Sequence, residues 1–327
     1  MTREIMVSVL LVTYNHSRYI GECLEHILGQ KRDFSIEILL HDDASTDGAQ
    51  EIIRDYQRRY PELVKPILRT ENQYSRGKTN ITGLFNLPRA VGKYVATLDG
   101  DDYWCDPYKL KKQISYMEAH PDTALCFHAA RVLREDGGPV NTALMTPFPR
   151  SRELDPRELV DHASGAAFGS FLLRREILLP LPAFYFTCPV GDRPLELIAA
   201  AHGKAYYFRE PMSVYRFHTA GSWSSGQFSG DYAEKQRRYA AQMAETYREF
   251  DRETDGRFHR ETENAAARLR FLTELNLRNY PEIYAERNRG YYRELCLRDR
   301  AFLRFEQRLP ALYRLLQART REKQEKA

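Results

Sequence analysis

Tyr94-Val95-Ala96-Thr97-Leu98-Asp99-Gly100-Asp101-Asp102 is the stretch of this sequence that decides its fold. Its apolar start predicts a buried strand, and three carboxylates follow directly after that strand. Such closely spaced carboxylates repel one another unless a cation or the dipoles of a ligand neutralise them. The stretch therefore predicts a metal-assisted site for a phosphorylated ligand at a strand end.

Strand and helix patterns alternate on both sides of this stretch, over about the first 130 residues. Apolar runs predict strands at 7–12, 36–40, 63–68, 94–98 and 124–127. Helical spacing and capping residues predict helices at 19–28, after Asp47, at 80–88 and at 107–120. This alternation is typical of an α/β fold with a mostly parallel sheet flanked by helices.

Three polar clusters follow three of these strands. They are Tyr14-Asn15, Asp42-Asp43 and the carboxylates of 99–102. Ligands of parallel α/β sheets bind beyond the carboxyl ends of the strands. We therefore expect the three clusters to lie along one rim of the sheet.

The rest of the chain has a different character. Residues 131–230 mix strand-like runs at 168–173, 206–208 and 213–217 with a helical pattern at 191–202. From about residue 231 glycine is rare and the spacing is helical. We thus expect a catalytic domain over 1–230, with halves 1–130 and 131–230, and a helical extension over 231–327.

Composition excludes several classes of protein. The chain has 327 residues, 43% hydrophobic and 29% charged, as is ordinary for a soluble globular protein. A net charge of +4 is too small to indicate a nucleic-acid footprint, so no nucleic-acid partner is expected. The apolar runs are too short to span a bilayer, and a strand-like run begins so early that no signal peptide is expected. Five cysteines without paired spacing argue against a zinc site or a disulfide framework and favour a reducing cytoplasm.

Each polar cluster has a structural alternative when it is considered alone. Tyr14 could stack on a base, or it could belong to an ordinary strand-to-helix turn. Asp43 could accept a hydrogen bond from a base or a ribose, whereas Asp47 is explained by helix capping alone. Asp192 is adequately explained as an acid in the first turn of a helix. His218 could contact a metal or phosphate, or bond only to backbone at a strand end.

Four motifs in order resemble the family 2 glycosyltransferases, which have the GT-A fold. They are Val-Ser-Val-Leu-Leu-Val-Thr-Tyr-Asn-His (7–16), His-Asp-Asp-Ala-Ser-Thr-Asp-Gly (41–48), Leu-Asp-Gly-Asp-Asp (98–102) and Tyr-Arg-Phe-His (215–218). The resemblance covers roughly residues 5–225 and implies a GT-A type, Rossmann-like sheet. It implies an inverting transfer of a sugar from a nucleoside-diphosphate sugar, with a UDP-sugar favoured, to an acceptor hydroxyl.

The resemblance also implies roles for particular residues. Asp192 would be the general base, which reverses the structural interpretation of that residue alone, although Gly191 stands where the family more often has Glu. Asp101 and His218 would hold Mn²⁺ or Mg²⁺, with Asp99 towards the ribose. The residues implied to bind the nucleotide sugar are Val12, Thr13, Tyr14, Asp43, Arg76, Asp99, Asp101 and Asp102.

Family habit further suggests surface polysaccharide or glycoconjugate synthesis, with a saccharide or lipid-linked acceptor that faces residues 164–171. Residues 286–327 carry 12 Lys or Arg against 6 Asp or Glu. The helical extension would pack on the catalytic domain or mediate oligomerisation. Alternatively, its excess of basic residues would lie on anionic lipid at the inner face of the cytoplasmic membrane.

Two other classes of protein remain as alternatives. A sugar nucleotidyltransferase usually has a glycine-rich phosphate loop after the first strand, and this chain has Thr-Tyr-Asn-His there. A non-catalytic nucleotide-sugar-binding module would be expected to lack Asp192 or the carboxylates of 99–102, and this chain has both.

Overall fold

The structure is a computed structural model that describes residues 4–134, 144–162, 165–217 and 231–313. It divides into two compact units, Met1–Ala265 and Ala266–Ala327. Asp231, where the sequence changes character, lies inside the first unit. The functional boundary at that residue stays a prediction.

One sheet runs through the first unit, and its strands follow the apolar runs of the sequence. Within the described residues they are β1 (Ile5–Thr13), β2 (Ser35–Asp42), β3 (Val64–Leu68), β4 (Tyr94–Asp99), β5 (Tyr103–Trp104), β6 (Thr123–Arg134), β7 (Leu144–Met145), β8 (Arg152–Leu154), β9 (Leu172–Arg174) and β10 (Lys204–Phe217).

The sheet order is β3-β2-β1-β4-β9-β6-β10-β5, with β7 beside β6 and β8 beside β10. Strands β3, β2, β1 and β4 are parallel, as are β6 and β10. Strand β9 runs antiparallel between β4 and β6. The mostly parallel α/β sheet is therefore confirmed, and the carboxyl ends of β1, β2 and β4 share one edge, because Val12 pairs with both His41 and Asp99.

The helices cover this sheet and form the tail. In chain order they are α1 (Ile20–Leu28), α2 (Ala49–Arg59), α3 (Lys109–Ala119), α4 (Pro156–Asp161), α5 (Ala183–Thr187), α6 (Asp192–His202), α7 (Tyr232–Glu253), α8 (His259–Asn276), α9 (Tyr280–Ile283), α10 (Arg289–Glu294) and α11 (Leu297–Arg308). None of the described helices is both long enough and apolar enough to cross a bilayer.

A continuous apolar core fixes the rim. Residues of β1, β2 and β4 pack with the buried faces of α1, α2 and α3. On α1 the buried residues follow the helical repeat, at Ile20, Cys23, Leu24 and Ile27. Because these helices are anchored on one face of the sheet, the loops that connect them to the strand ends have fixed starting points.

Two local predictions were only partly right. The segment predicted as a helix over 80–88 forms a π-helical turn at Thr82–Asn86 and a 3-10 turn at Leu87–Arg89. The buried amide of Asn86 donates to the carbonyl of Leu11 at 3.0 Å, and Pro88 cannot supply a helical N–H. The two short strands expected at 206–208 and 213–217 are one strand, β10, whose register shifts around Pro211.

The first helix of the tail belongs to the first unit. Phe250 of α7 packs edge-on against Phe184 of α5, with ring centroids 5.6 Å apart. Tyr247 of α7 accepts a hydrogen bond from Arg193 at 3.0 Å. Helix α7 therefore buttresses the beginning of α6.

Candidate active site

The loops after β1 and β2 hold each other in place. Asn15 adopts a positive φ of 55°. Its backbone N–H donates to the hydroxyl of Ser45 (2.8 Å), and its side-chain oxygen accepts from the N–H of Thr46 (2.9 Å). Thr13 is buried, whereas Tyr14 is 40% exposed. The aromatic side chain that the sequence proposed for base stacking is thus available to a ligand at this edge.

Asp42 and Asp43 have different surroundings, although they are adjacent. Asp42 is fully buried, and its carboxylate accepts from the N–H of Ser45 (3.0 Å) and the amide of Gln50 (2.6 Å). Asp42 therefore serves the local structure of the loop, which is the alternative that the sequence left open.

Asp43 fixes a second loop on the same rim. Its two carboxylate oxygens accept from the backbone N–H groups of Gln73 (2.8 Å) and Tyr74 (3.0 Å). The oxygen that accepts from Gln73 also lies 3.5 Å from Nε2 of His41, whereas the oxygen that accepts from Tyr74 keeps a further lone pair for a ligand donor. Arg76 lies on this loop, is exposed and forms its ion pair with Glu71.

The turn after β4 lies against the end of β1. The backbone N–H of Gly100 donates to the carbonyl of Val12 at 2.8 Å, and that of Asp102 donates to the carbonyl of Asp99 at 3.1 Å. A Cβ atom at position 100 would lie 2.6 Å from the hydroxyl oxygen of Thr13. Glycine is required there because the turn approaches β1 too closely for any side chain.

Burial disfavours the ionised form of the carboxyl groups in this turn. Burial and the charges of Asp101 and Asp192 raise the pKa of Asp99 to about 8. Burial, together with Asp101 and Asp99, raises the pKa of Asp102 well above its usual range. Desolvation and like charge both disfavour the ionised form. A cation close to the turn would remove that penalty, as the sequence predicted.

The three carboxylates of the turn do not face the same way. Asp102 is almost fully buried, and its carboxylate accepts from the backbone N–H of Arg216 on β10 at 2.8 Å. The carboxylate of Asp101 lies 3.8 Å from Nε2 of His16. Asp99 keeps partial solvent exposure. Asp102 thus ties the turn to β10, whereas Asp99 keeps access to the rim.

Arg216 clamps the turn from the other side. Its guanidinium donates to the carbonyl of Asp101 and to the carboxylate of Glu22, both at 2.5 Å. The same group lies 4.8 Å from the ring centre of Tyr19 and 4.9 Å from that of Tyr103. Arg216 therefore holds the backbone of the turn.

Sequence reasoning missed two residues of this arrangement. His16 stands in the quoted Thr-Tyr-Asn-His segment, and its position directly after a rim loop was a signal that could have identified it. Glu22 lies on α1 and carries no local signal, because its partner Arg216 is 194 positions away.

Asp192 is the first residue of α6 and is only partly exposed. One carboxylate oxygen accepts from the N–H of Arg193 at 2.7 Å. Burial, followed by the charge of Glu196, raises the pKa of Asp192 to about 6. Since Asp192 in turn raises the pKa of Asp99, the two carboxylates lie within electrostatic reach of each other.

The start of α6 is firmly anchored. Arg193 is buried, and its guanidinium donates to the carbonyl of Leu159 (2.8 Å), the carboxylate of Glu196 (2.7 Å) and the hydroxyl of Tyr247 (3.0 Å). A buried, fully paired arginine fixes the helix end that carries Asp192. The prediction of a helix at 191–202 is confirmed over Asp192–His202.

The segment expected to face the acceptor is tied to the same turn. The indole N–H of Trp104 donates to the backbone carbonyl of Gly169 at 2.8 Å. The hydroxyl of Thr97 donates to the backbone carbonyl of Phe168 at 2.5 Å. Ser164 and His218 lie outside the described residues. Their predicted roles remain predictions.

The donor set of the described residues suits a hard divalent cation. Among the residues that the structure describes, no three His, Cys, Asp or Glu side chains converge as a complete ligand set. Mg²⁺ and similar ions commonly bind through one or two carboxylates and complete their shell with substrate phosphates and water. The carboxylates of Asp99 and Asp101 meet that requirement.

Comparison with known proteins agrees with this geometry. The family model of Glycosyl transferase family 2 matches residues 8–179, so this chain belongs to that family. An uncharacterized protein of Mycobacterium tuberculosis is 34% identical over 227 residues, which are 67% of this chain and 61% of that protein. The chain thus spans about three fifths of the length of that relative. WfaP of Escherichia coli, named as a UDP-Glc:alpha-D-GlcNAc-diphosphoundecaprenol beta-1,3-glucosyltransferase, is 34% identical over 113 residues, 35% of this chain and 41% of WfaP.

Solved structures share the GT-A fold with the chain. Residues 1–349 of Staphylococcus aureus TarS, in complex with UDP-GlcNAc, match with a TM-score of 0.53 and 18% identity, over 80% of this chain and 75% of that one. The mannosyltransferase PcManGT of Pyrobaculum calidifontis, in complex with GDP-Man and Mn²⁺, matches with a TM-score of 0.51 and 19% identity, over 92% and 86%. The fold expected from the sequence is confirmed.

Proposed function

We propose that this protein is an inverting glycosyltransferase that moves a sugar from a nucleoside-diphosphate sugar to an acceptor hydroxyl. One observation supports it most: Asp192, with a pKa raised to about 6, lies within electrostatic reach of Asp99 in the turn after β4. A general base works best when its pKa lies near the working pH, and a diphosphate needs neutralisation. The rim would provide a base of suitable pKa and, beside it, carboxylates for a cation that neutralises the diphosphate.

The donor would bind along the carboxyl edge of β1, β2 and β4. The exposed ring of Tyr14 would stack on the base, and Asp43 would accept from the base or the ribose. Val12, Thr13 and Arg76 would complete that part of the site. We favour a UDP-sugar, and TarS in complex with UDP-GlcNAc supports that choice, whereas PcManGT with GDP-Man keeps a guanine nucleotide open.

Asp101 and His218 would hold a divalent cation, Mn²⁺ or Mg²⁺, with Asp99 on the ribose side. Such a cation, when bound, stabilises the charge of the departing nucleoside diphosphate. Asp102 would act indirectly, since its carboxylate bonds to the backbone of Arg216. PcManGT, in complex with GDP-Man and Mn²⁺, supports manganese here.

The reaction would be a single displacement. Asp192 would take the proton of the acceptor hydroxyl while that oxygen forms a bond to the anomeric carbon. The bond from the anomeric carbon to the donor phosphate oxygen would break on the opposite face, and the nucleoside diphosphate would leave with that electron pair. One displacement inverts the anomeric configuration. The buried pairing of Arg193 would keep Asp192 in position for this step.

The acceptor would be a saccharide or a lipid-linked saccharide in polysaccharide or glycoconjugate synthesis. The name of WfaP, with its diphosphoundecaprenol acceptor, supports this class. Residues 164–171 would face the acceptor, and the hydrogen bonds of Gly169 and Phe168 to Trp104 and Thr97 support that role. We propose that the reaction occurs in the cytoplasm, and the five free cysteines support that location.

A donor screen tests this proposal. Thermal shifts and release of nucleoside diphosphate are measured with UDP-, GDP- and dTDP-sugars, each with and without Mn²⁺. We expect one donor to stabilise the protein and to be turned over only with the cation. Asp192→Asn should keep the thermal shift and lose turnover, while the control Asp33→Asn, with a side chain 75% exposed, should keep both. Binding of a donor without turnover by the wild type would instead indicate a non-catalytic module.

A further inference from the structure

Helix α11 (Leu297–Arg308), in the second unit, has one buried side and one exposed apolar side. Leu303 is buried and packs in a small core with Phe271, Ile283 and Tyr292. Leu297 is 77% exposed and Phe302 is 44% exposed. Large apolar side chains on a helix surface are unusual when several lie together.

Apolar residues of α11 share one side of the helix, on which Leu297, Ala301 and Phe302 are exposed and Phe305 is half-buried. At about 100° per residue, Leu297, Ala301, Phe305 and Phe302 fall within an arc of roughly 140°. Leu303 points away from that arc, in agreement with its burial. Two further leucines follow directly after the helix, Leu309 at 50% exposure and Leu312 at 45%. Exposed apolar side chains therefore follow α11 in the sequence.

Arginines accompany this face, and carboxylates do not. Arg298, Arg304 and Arg308 are exposed and fall within or beside the arc. The described part of the chain provides no carboxylate within ion-pair distance of these three guanidiniums. Glu306 and Asp299 fall about 40° and 60° beyond Phe302, outside the arc, and Glu306 pairs with Arg278 at 3.0 Å. The sequence after the described residues adds five Lys or Arg against two Glu over 314–327.

We propose that α11 lies on the surface of an anionic lipid bilayer, with its exposed apolar face in the headgroup region. A helix whose exposed side carries both apolar residues and arginines suits that interface, since the apolar side chains enter it and the cations meet lipid phosphates. A second copy of the chain suits the face less well. A symmetric dimer centred on this arc would bring Arg298 and Arg308, which lie inside it, against the same arginines of the second copy, and the arc itself holds no carboxylate.

Vesicle sedimentation of the full chain tests the proposal, with no nucleotide sugar or acceptor present. The vesicles contain phosphatidylglycerol and phosphatidylcholine in equal amounts, or phosphatidylcholine alone. We expect binding to the anionic vesicles, loss of binding at high salt and little binding to the neutral ones. Since neither donor nor acceptor is used, this result is independent of the proposed transferase activity.

Two variant pairs separate the contributions. Arg304→Gln with Arg308→Gln should weaken binding on the order of 30-fold, because each surface cation contributes about fivefold. Leu297→Ser with Phe302→Ser should weaken it at least about tenfold. The controls Arg58→Gln and Val91→Ser, at exposed positions of the first unit, should bind like the wild type.

Three results would overturn the proposal. One is absence of binding to anionic vesicles by the wild type at low salt. Another is equal binding by the wild type and both α11 variants. The third is a concentration-dependent dimer, seen by sedimentation equilibrium, that the α11 variants abolish while vesicle binding is unchanged, because that result would assign the face to a second copy.

Discussion

Replacement of Asp192 by Asn should move activity and stability in opposite directions. The pKa of Asp192 rises from 3.8 to about 6 in the folded protein, mainly through burial. A carboxyl group whose pKa is higher in the folded protein than in the unfolded chain lowers the free energy of unfolding when it is ionised. This penalty disappears in acid, where the group is protonated in both the folded and the unfolded chain. The penalty is therefore small in acid, grows between about pH 4 and pH 6 and is complete above pH 6.

The size of the effect follows from the same shift. At 1.36 kcal/mol for each pH unit, the ionised side chain costs the fold about 3 kcal/mol at pH 7.5 and about 1 kcal/mol at pH 4.5. Asn keeps an oxygen that can accept from the N–H of Arg193 and carries no charge. Asp192→Asn should raise the free energy of unfolding by those amounts. Its turnover number should fall by about 10²–10⁴, as is typical for loss of a general base.

Urea unfolding at pH 7.5 and pH 4.5 measures the change in the free energy of unfolding, and release of nucleoside diphosphate measures the change in turnover number. Asp33→Asn, at an exposed ion pair with Lys111, is the matched control and should change neither quantity appreciably. In the wild type, turnover should rise with pH and level off above about pH 6. If Asp192→Asn lost stability and activity together, the residue would be structural, and the reasoning from its raised pKa would be refuted.

Three further predictions concern the turn and its support. Arg216→Met should weaken Mn²⁺ binding, measured by titration calorimetry, about 10–100-fold, because the clamp on the turn is lost; unchanged affinity would contradict this role. Burial lowers the pKa of Lys109 to about 7, so the charged side chain destabilises the folded state. Lys109→Met should therefore raise the free energy of unfolding by at most about 5 kcal/mol below pH 7, and this gain should disappear towards pH 10.5. A gain that does not vary with pH would be inconsistent with this cause. Gly100→Ala should cost about 1–3 kcal/mol in urea unfolding, because its Cβ would lie 2.6 Å from the Thr13 hydroxyl, and a stability equal to that of the wild type would disprove the close approach.

The rim of the site could be predicted because its signals are local. The apolar runs that end at Thr13, Asp42 and Asp99 are buried strands, and parallel pairing brings their ends to one edge. The paired acids at 42 and 43 were predicted as a ligand cluster, yet only their surroundings distinguish the loop-forming Asp42 from Asp43. That difference depends on which backbone N–H groups fold back over each carboxylate.

Other features depend on partners far along the chain. The clamp of Arg216 joins Glu22, Asp101 and two tyrosines, and no local pattern indicates those contacts. Strand β9 has three residues and runs against its neighbours, so its sequence gives neither its length nor its direction. The raised pKa of Asp192 likewise results from burial at a helix start that α7 supports.

The anomeric configuration of the released sugar tests the central claim most directly. The wild type is incubated with Mn²⁺ and the α-linked donors UDP-GlcNAc, UDP-Glc and GDP-Man, and proton NMR follows hydrolysis from the first minutes, before mutarotation. The account predicts that the accepted donor first releases the β-anomer and that Asp192→Asn releases none at a comparable rate. Initial release of the α-anomer, or equal release by Asp192→Asn, would contradict inversion by Asp192.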